Sequence, residues 1–347
     1  MRVMLAMSGG VDSSVAGALL LAQGHDVVGV TMRLWGGSSD TGCCSVSDVD
    51  DARRVAQQLG LDHHVFNFGD GFTTHVVEPY VAAHATGVTP NPCIECNRHL
   101  KFDALLERAA VLGFDAVATG HHARIEQGEG RFRLCRGADP DKDQSYVVHM
   151  LDQSAMARTL FPVGDITKAR VREMALDLGL RTATKPDSQD VCFITSDGGR
   201  RAFLGDRIPL RSATVRDLNG NTVGSVDAVE LVTIGQRRGL TLSGAPSRRF
   251  VLDVDVPRGE VTVGSAEDLL REREHVEQVV WTSSPSAGDV LVQCSAHGEP
   301  QRATIRPDGA SIEVVWAEPQ RRVAPGQSAV FYSLANDEVL GGGRVRR

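Results

Sequence analysis

The sequence predicts an α/β domain followed by two mostly β domains. Apolar strand-length runs alternate with helical periodicity up to about residue 200, a pattern typical of a parallel sheet with helices on both faces. Beyond Asp197-Gly198-Gly199 short Val-rich or Thr-rich runs lie between Gly, Pro, Asn and Asp turns, which favours strands. We expect an α/β domain over residues 1–200, a small β domain over 201–270 and a C-terminal β-barrel over 271–347.

The first strand and the first helix are joined by a turn of small residues. Val3 to Met7 form an apolar strand, and Val15, Ala18, Leu19 and Ala22 then recur at helical spacing. Ser8 to Ser14 therefore lie at a helix N-terminus, where free backbone N–H groups and the positive end of the helix dipole bind anions. Because a Walker-type lysine motif is absent from the sequence, this turn predicts a different kind of phosphate-binding loop.

The remaining elements of the α/β domain alternate in the same way. The strands are expected at 27–32, 64–68 and 116–119. One helix is expected around Ala52–Leu59 and a second from Phe102 to Gly113, where glycine ends it. A third is expected from the N-cap Thr167 to Gly179, where glycine again ends the helix. Ligands bind at the carboxyl ends of the strands in parallel sheets, so we expect the active site at that edge of this sheet. In the C-terminal half, strands are expected at 261–263, 276–281, 290–294, 312–316 and 329–332.

Composition narrows the class of protein. The chain of 347 residues has a net charge of −7 and its hydrophobic residues make up 41%, which is ordinary for a globular protein. Its longest apolar stretch, Val15 to Ala22, is too short to cross a membrane. We therefore expect a cytoplasmic protein without membrane association. Seven cysteines, an odd number, argue against a structural disulfide framework.

Two cysteine-bearing segments predict reactive thiols. The segment from Thr89 to Arg98 contains two prolines and a C-x-x-C, and we expect it to be a loop that presents Cys96 just before the Phe102 helix. A second polar segment, Lys185 to Ile194, carries Cys192 as the expected partner. The sequence contains no second pair of Cys or His ligands at the spacing of a zinc site, which argues against zinc binding by this C-x-x-C. The proline-rich context argues against a thioredoxin-like motif. Packing roles are expected for the remaining cysteines, which are Cys43, Cys44, Cys135 and Cys294.

The motifs resemble those of a known family. Ser8-Gly9-Gly10-Val11-Asp12-Ser13 is similar to the PP-loop of the N-type ATP pyrophosphatases, which adenylate an oxygen and release pyrophosphate. Seven motifs in the same order resemble the bacterial tRNA-specific 2-thiouridylases over residues 4 to about 332. They are the PP-loop, 29–32, 89–97, 118–121, 142–146, 187–194 and 233–239. The resemblance implies an adenine nucleotide alpha hydrolase-like N-terminal domain and ATP-dependent 2-thiolation of the wobble uridine of tRNA.

The resemblance also implies roles for individual residues. ATP with Mg²⁺ would be held by Met7, Ser8, Gly9, Gly10, Val11, Asp12, Ser13, Ser14, Met32 and Gly120. Cys192 would carry the sulfur as a persulfide supplied by a sulfur-donor protein, and Cys96 would be the second nucleophile, leaving a Cys96–Cys192 disulfide for a reductant. The target base and the rest of the tRNA would contact Asn91, Pro92, Cys93, His121, Lys142, Asp143, Gln144 and Gln327.

One departure from the family keeps alternatives open. Cys93 stands where the family commonly has Asp, so Cys93, Cys96 and Cys192 are also candidates to hold an iron–sulfur cluster with an external fourth ligand. A PP-loop ligase acting on a small metabolite would need neither thiol, and an RNA-binding protein with an inactive site would consume no ATP. The sequence leaves the sulfur donor, the set of tRNAs and the oligomeric state undetermined.

Overall fold

The α/β domain is built on a parallel sheet, as predicted, but the sheet has five strands and not the four expected from the sequence. The computed structural model describes residues 1–35, 46–128, 130–187, 191–194, 198–242 and 248–347. The sheet has the order β3-β2-β1-β4-β7, and its neighbouring strands all pair in parallel. Its strands are β1 (Arg2–Ala6), β2 (Asp26–Arg33), β3 (Asp62–Asn67), β4 (Ala116–Ala118) and β7 (Thr159–Leu160).

Helices connect these strands and follow them. The α-helices are α1 (Val11–Ala22), α2 (Val46–Leu59), α3 (Gly69–Phe72), α4 (Glu78–Ala85), α5 (Pro92–Cys96), α6 (Leu105–Val111), α7 (Gln153–Met156), α8 (Lys168–Asp177) and α9 (Gly199–Gly205). Two π-helical segments, Thr73–Val77 and Asn97–Ala104, join α3 to α4 and α5 to α6. Short 3₁₀ turns are formed by Ser145–Val148, Val229–Leu231 and Glu267–Leu269.

The predicted helix ends are confirmed by the backbone. Gly60, Gly113 and Gly179 have φ values of 73°, 73° and 62°, a left-handed conformation that glycine adopts without a steric penalty after the last turn of a helix. Thr167 caps α8, because its side chain accepts a hydrogen bond from the backbone N–H of Arg170. Local sequence chemistry therefore fixes where these helices stop and start.

Two predictions about helices are wrong in detail. The segment before Phe102 is helical from Pro92, because Asn91 accepts a hydrogen bond from the Cys93 N–H as N-cap and Pro92 occupies the first turn, where its missing N–H costs nothing. Cys96 therefore lies within a helix and not on a loop. In α1 the buried face is formed by Val11, Val15, Ala16 and Leu20, while Ala18 and Leu19 are only half-buried and Ala22 is exposed.

The central part of the chain forms a second five-stranded sheet. Its order is β10-β9-β8-β12-β11, and β8 and β12 pair in parallel whereas the other pairs are antiparallel. The strands are β8 (Ala213–Arg216), β9 (Thr222–Val226), β10 (Thr241–Leu242), β11 (Phe250–Asp255) and β12 (Glu260–Gly264). Alternating valines fill a core of its own, with Val215, Val251 and Val263 fully buried.

The C-terminal strands close into a six-stranded barrel, as predicted. Successive antiparallel pairs run β13-β16-β15-β14-β17-β18, and β13 also pairs with β18, so the sheet has no free edge around the barrel. The strands are β13 (Leu270–Trp281), β14 (Gly288–Gln293), β15 (Gln301–Asp308), β16 (Ser311–Arg321), β17 (Ser328–Tyr332) and β18 (Glu338–Val345).

A hairpin from the α/β domain extends this barrel sheet. It consists of β5 (Ala123–Gly128) and β6 (Arg131–Arg136), and β6 pairs with β18 at Leu134 opposite Val339. Arg133 Nε donates to Oε2 of Glu338 at 2.9 Å across this junction. The chain segment that follows His121 and His122 is thereby joined to the barrel. Among the residues described, each helix is too short or too polar to cross a bilayer.

Candidate active site

A cavity of about 490 Å³ lies at the carboxyl edge of the parallel sheet, within the size range of small-molecule sites. Of the residues singled out from the sequence, those on its wall are Met7, Ser8, Gly10, Val11, Asp12, Ser13, Met32, Gly120, His121, Lys142, Asp143 and Gln144. The structure thus brings together the turn after β1, the end of β2 and the residues after β4. Their roles toward a ligand remain predictions.

The turn before α1 has the shape expected of an anion-binding loop. Gly9 has φ 70°, and a Cβ there would lie 2.3 Å from the carbonyl oxygen of Asp48, so no side chain fits. Gly10 is the N-cap, and its carbonyl accepts hydrogen bonds from the hydroxyls of Ser13 and Ser14. Ser14 is fully buried beneath the turn, where Thr182 donates to its hydroxyl. The first N–H groups of α1 consequently border the cavity.

Asp12 is held from two directions. Lys168 Nζ, at the start of α8, lies 2.6 Å from Oδ2 and 2.8 Å from Oδ1 of Asp12, and His122 Nε2 lies 3.0 Å from Oδ1. Burial alone raises the pKa of the Asp12 carboxyl, but the hydrogen bonds with His122 and Lys168 outweigh that effect and lower the pKa. Asp12 is therefore a carboxylate at neutral pH.

A second carboxylate gathers cations on the same wall. Asp187 accepts from Lys142 Nζ at 2.9 Å, from Lys168 Nζ at 2.9 Å and from Arg172 at 2.8 Å. Burial raises the pKa of Asp187, yet hydrogen bonds from Lys168 and Lys142 reverse this and lower the pKa to about 2. Lys168 thus bridges Asp12 and Asp187 and joins the first and last parts of the α/β domain.

Lys185 supports the turn from its far side. Its ammonium donates to the carbonyl of Gly9 at 3.0 Å and lies 2.6 Å from Asp48 and 2.8 Å from Asp51 of α2. The two carboxylates raise the pKa of Lys185 against the opposing effect of burial. This lysine is a fixed positive charge beside the loop.

Lysine is concentrated at this cavity. The sequence contains four lysines among 37 basic residues, at positions 101, 142, 168 and 185, and all four lie on the cavity wall. Elsewhere the chain uses arginine. A compact ammonium on a flexible stem suits a point contact to a phosphate oxygen, and the four lysines give this wall a concentration of positive charge.

His121, the first of the two histidines after β4, is buried. His121 is 8% exposed, hydrogen-bonds Oγ1 of Thr119 through Nδ1 at 2.6 Å and packs beside Phe102 and Phe161. Burial lowers its pKa well below the usual value, so its imidazole is neutral. Gly120 precedes it, and a Cβ there would lie 2.7 Å from the backbone N of Ser13. The close approach of β4 to α1 therefore requires glycine.

In the Lys142-Asp143-Gln144 segment, Asp143 and Gln144 form hydrogen bonds with different parts of the protein. Asp143 is buried and accepts hydrogen bonds from Arg136, the Gly137 N–H and both the N–H and hydroxyl of Ser145. Its carboxylate is thus committed to protein donors. Gln144 accepts the His122 N–H at 2.8 Å, and its own N–H donates to the His122 carbonyl. Gln144 therefore positions the histidine that contacts Asp12.

The predicted thiols are not part of the cavity wall. Cys96, which is 8% exposed, belongs to a hydrophobic cluster that includes Tyr332 of the barrel, and the partly buried Cys192 packs against the same cluster. Cys93 is exposed and Pro92 is buried. From the barrel, Gln327 Nε2 donates to the Thr89 carbonyl at 2.6 Å, so Gln327 holds the segment that leads to Asn91.

The other cysteines fit packing roles where they are described. Burial raises the pKa of Cys135 to about 11 and that of Cys294 to about 12, so both thiols are protonated and poorly nucleophilic at neutral pH. Cys43 and Cys44 lie outside the described residues, as do residues 188–190 of the motif that contains Cys192.

Sequence reasoning missed several residues of this site. His122, Lys168, Lys185 and Lys101 border the cavity, as does His297, which comes from the barrel. His122 stands next to a residue that was chosen, and Lys168 follows the predicted N-cap Thr167, so each had a local signal. Lys101 forms a short basic cluster with Arg98 in the sequence, but only the tertiary fold brings Lys101 and His297 to this wall.

Family models and curated relatives match this chain along nearly its whole length. Family models match residues 1–196 as "tRNA methyl transferase HUP domain", 201–265 as "tRNA methyl transferase PRC-barrel domain" and 272–345 as "Aminomethyltransferase beta-barrel domain". A "tRNA-specific 2-thiouridylase MnmA" of Chloroflexus aurantiacus is 47% identical over 100% of this chain and 98% of its own. A protein of the same name from Corynebacterium kroppenstedtii is 46% identical over 99% and 95%.

A solved "4-thiouridine synthetase - RNA complex with bound ATP" covers 55% of this chain and 44% of its own at 20% identity, with a TM-score of 0.37, which is too low to bear on the site. The fold and cavity define a PP-loop type nucleotide-binding α/β protein with two appended β domains. The chain belongs to the tRNA-specific 2-thiouridylase MnmA family.

Proposed function

We propose that this protein catalyses the ATP-dependent 2-thiolation of uridine in tRNA, at the wobble position. The observation that carries the proposal is the cavity over the turn before α1, whose wall combines an anion-binding helix N-terminus with all four lysines of the chain. Membership of the 2-thiouridylase family supports the same reaction. The enzyme is then an ATP-dependent sulfurtransferase.

The nucleotide would lie with its phosphates against the start of α1. The N–H groups that follow Gly10 would bind the phosphate oxygens, with Lys168 and Lys185 as fixed positive charges nearby. Met32, at the end of β2, would contact the adenine. Such donors stabilise the charge that develops on the leaving pyrophosphate when AMP is transferred to the uridine oxygen.

A magnesium ion fits this wall together with the triphosphate. Asp12 is a carboxylate on the cavity wall, and Mg²⁺ is commonly bound by one or two carboxylates, substrate phosphates and water. Mg²⁺ would supply charge neutralisation of the phosphates when bound. Asp12 would then exchange its contact with Lys168 for the ion, which would leave that ammonium for the nucleotide.

Sulfur would travel through the thiols of Cys192 and Cys96. A persulfide on Cys192 attacks C2 of the adenylated base, so that a C–S bond forms and the C–O bond to AMP breaks. The Cys96 thiolate then attacks the Cys192 sulfur, which breaks the S–S bond to the base, leaves the sulfur on C2 and forms a Cys96–Cys192 disulfide. A cellular thiol reductant reopens this disulfide.

An iron–sulfur cluster receives no support from the arrangement of the cysteines. Within the described part of the chain, no three His, Cys, Asp or Glu side chains are grouped closely enough to hold a metal ion. Cys93, Cys96 and Cys192 therefore do not fit an iron–sulfur cluster in this conformation. Protein purified anaerobically is expected to thiolate tRNA without bound iron.

The partners implied are a tRNA and a protein that donates persulfide sulfur. The wobble base would leave its loop to reach the cavity, and Asn91 to Cys93 would lie beside it. Gln327 and Lys142 would contribute to the docking of the RNA. The identity of the sulfur donor is left to experiment.

The decisive test of the reaction class is the dependence of ATP cleavage on RNA. With purified protein, ATP and Mg²⁺, we expect pyrophosphate to form only when tRNA is present, and AMP to form in stoichiometric amounts with 2-thiouridine when a persulfide source is present as well. Release of AMP with ammonia or an amino acid and without tRNA would instead identify a PP-loop ligase for a small metabolite. Binding of tRNA without any ATP cleavage would identify an inactive RNA-binding protein.

A further inference from the structure

The hydroxyl of Thr31 links β2 to the start of the turn before α1. Thr31, which is 1% exposed, donates from Oγ1 to the carbonyl oxygen of Met7 at 2.9 Å. The backbone N–H of Met7 donates to the carbonyl of Val30, also in β2, at 2.8 Å. Both polar groups of the Met7 backbone are therefore held by β2, at the point where β1 has ended and the turn begins.

The Met7 carbonyl and the Ser8 N–H belong to one planar peptide group. In a trans peptide these two groups point in opposite directions, so the hydrogen bond with Thr31 also directs the Ser8 N–H. That N–H donates to Oγ of Ser13 at 3.3 Å, and the two serine hydroxyls lie 3.4 Å apart. Ser8 and Ser13 both lie on the cavity wall. The Thr31 hydroxyl therefore sets the orientation of the first peptide group of the turn.

His63, in β3, shares the Thr31 hydroxyl. Its Nε2 lies 2.9 Å from Oγ1 of Thr31. A hydroxyl has one proton and a carbonyl oxygen can only accept, so Thr31 gives its proton to Met7 and accepts a hydrogen bond from His63. Burial lowers the pKa of His63, and the nearby Arg53 and His64 lower it further. The imidazole is therefore neutral at neutral pH, and its single proton lies on Nε2.

We propose that Thr31 and His63 are positioning residues for ATP, which hold the first peptide group of the turn before α1 through the Met7 carbonyl. The inference rests on the proposed function, because this turn is the one that would bind the phosphates. Without the Thr31 hydroxyl, the Met7 carbonyl would lose this donor at a buried position, which is costly. The peptide group could then turn its oxygen toward the cavity, where it would repel the oxygens of a phosphate.

The first experiment measures the Kd for ATP of two variants at position 31. We expect the Kd to rise about tenfold in Thr31→Val, which keeps the shape of the side chain, and to stay within about twofold in Thr31→Ser, which keeps the hydroxyl. The matched control is Thr304→Val, which removes a hydroxyl that donates to Asp289 in the barrel and should bind ATP like the wild type. Wild-type affinity in Thr31→Val, or equal weakening in Thr31→Val and Thr31→Ser, would overturn the inference.

The second experiment determines the tautomer of His63 in the wild-type protein, so it does not depend on the folding of Thr31→Val. In an NMR spectrum of the imidazole rings at neutral pH, the ¹⁵N chemical shifts show which nitrogen carries the proton, and the signals absent from His63→Gln belong to His63. We expect the proton on Nε2, and a proton on Nδ1 would contradict the inference. Failure of the proposed function is distinguishable, because the wild-type enzyme itself would then bind no ATP, whatever the tautomer of His63.

Discussion

Lys168 Nζ lies within 2.8 Å of both carboxylate oxygens of Asp12, across 156 positions of sequence. The ammonium side chain is 10% exposed and that of Asp12 is 28% exposed. Breaking such a pair leaves a charge in a poorly solvated place. The contact joins α8 to the turn before α1, so it couples the end of the α/β domain to the phosphate-binding loop.

We predict that Lys168→Met lowers the rate of AMP formation about 100-fold, because it removes a charge that stabilises the departing pyrophosphate and also releases Asp12 and Asp187. The measurement is single-turnover AMP release with saturating tRNA and a persulfide source. Arg170→Met, an exposed change in the first turn of the same helix, is the control. Wild-type AMP release by Lys168→Met would remove this lysine from the site.

Gly120→Ala is predicted to weaken ATP binding at least tenfold without unfolding the protein. The added Cβ would lie 2.7 Å from the Ser13 nitrogen and 2.8 Å from the Asp12 carbonyl carbon, so the start of α1 must move. The control is Gly128→Ala in β5, where nothing lies within 4 Å of the added carbon. Calorimetric titration with ATP, together with thermal unfolding, separates a displaced loop from a destabilised fold. Equal ATP affinities for the two variants would contradict the assignment.

The buried His149 predicts a stability that depends on acid pH. Burial lowers its pKa from 6.5 to about 4, despite a hydrogen bond with the Tyr146 carbonyl. The unfolded chain binds this proton below pH 6.5 and the folded chain does not, so the free energy of unfolding falls as the pH drops from 6.5 to 4. The contribution of this one group is about 3 kcal/mol in total.

The measurement is urea unfolding at several pH values in that window, for the wild type and for His149→Gln. The variant should be less stable at pH 7 but should show a flatter decline toward pH 4. A decline as steep as that of the wild type would mean that other groups cause the acid sensitivity.

Much of this fold follows from local sequence chemistry. The strands β1, β2 and β4 of the parallel sheet are short apolar runs, and Gly60, Gly113 and Gly179 end helices for a local reason, their positive φ. The short strand Thr159–Leu160 was missed, because two residues carry no periodicity. The hairpin Ala123–Gly128 and Arg131–Arg136 was missed because its strands carry many charged residues, which face partners such as Glu338 about 200 positions away. Periodicity within one segment contains no information about such a pairing.

The turn from Ser8 to Ser14 could be predicted because it joins one strand to one helix, and Met32 and Gly120 could be predicted because they lie at the ends of strands of the same sheet. The ion pairs of Asp12 with Lys168 and of Lys185 with Asp48 could not be predicted, since they span 156 and 137 positions and only the tertiary fold brings the partners together. The start of α5 at Pro92 was misjudged because proline was interpreted as a helix breaker, although at the first turn it is compatible with a helix.

The central claim is that sulfur reaches the RNA through Cys192. The measurement is mass spectrometry of the nucleosides of tRNA after incubation with ATP, Mg²⁺, a persulfide source and either the wild type, Cys192→Ala or the packing control Cys135→Ala. We predict 2-thiouridine with the wild type and Cys135→Ala, and none with Cys192→Ala although that variant still binds tRNA. Wild-type amounts of 2-thiouridine from Cys192→Ala would contradict the account.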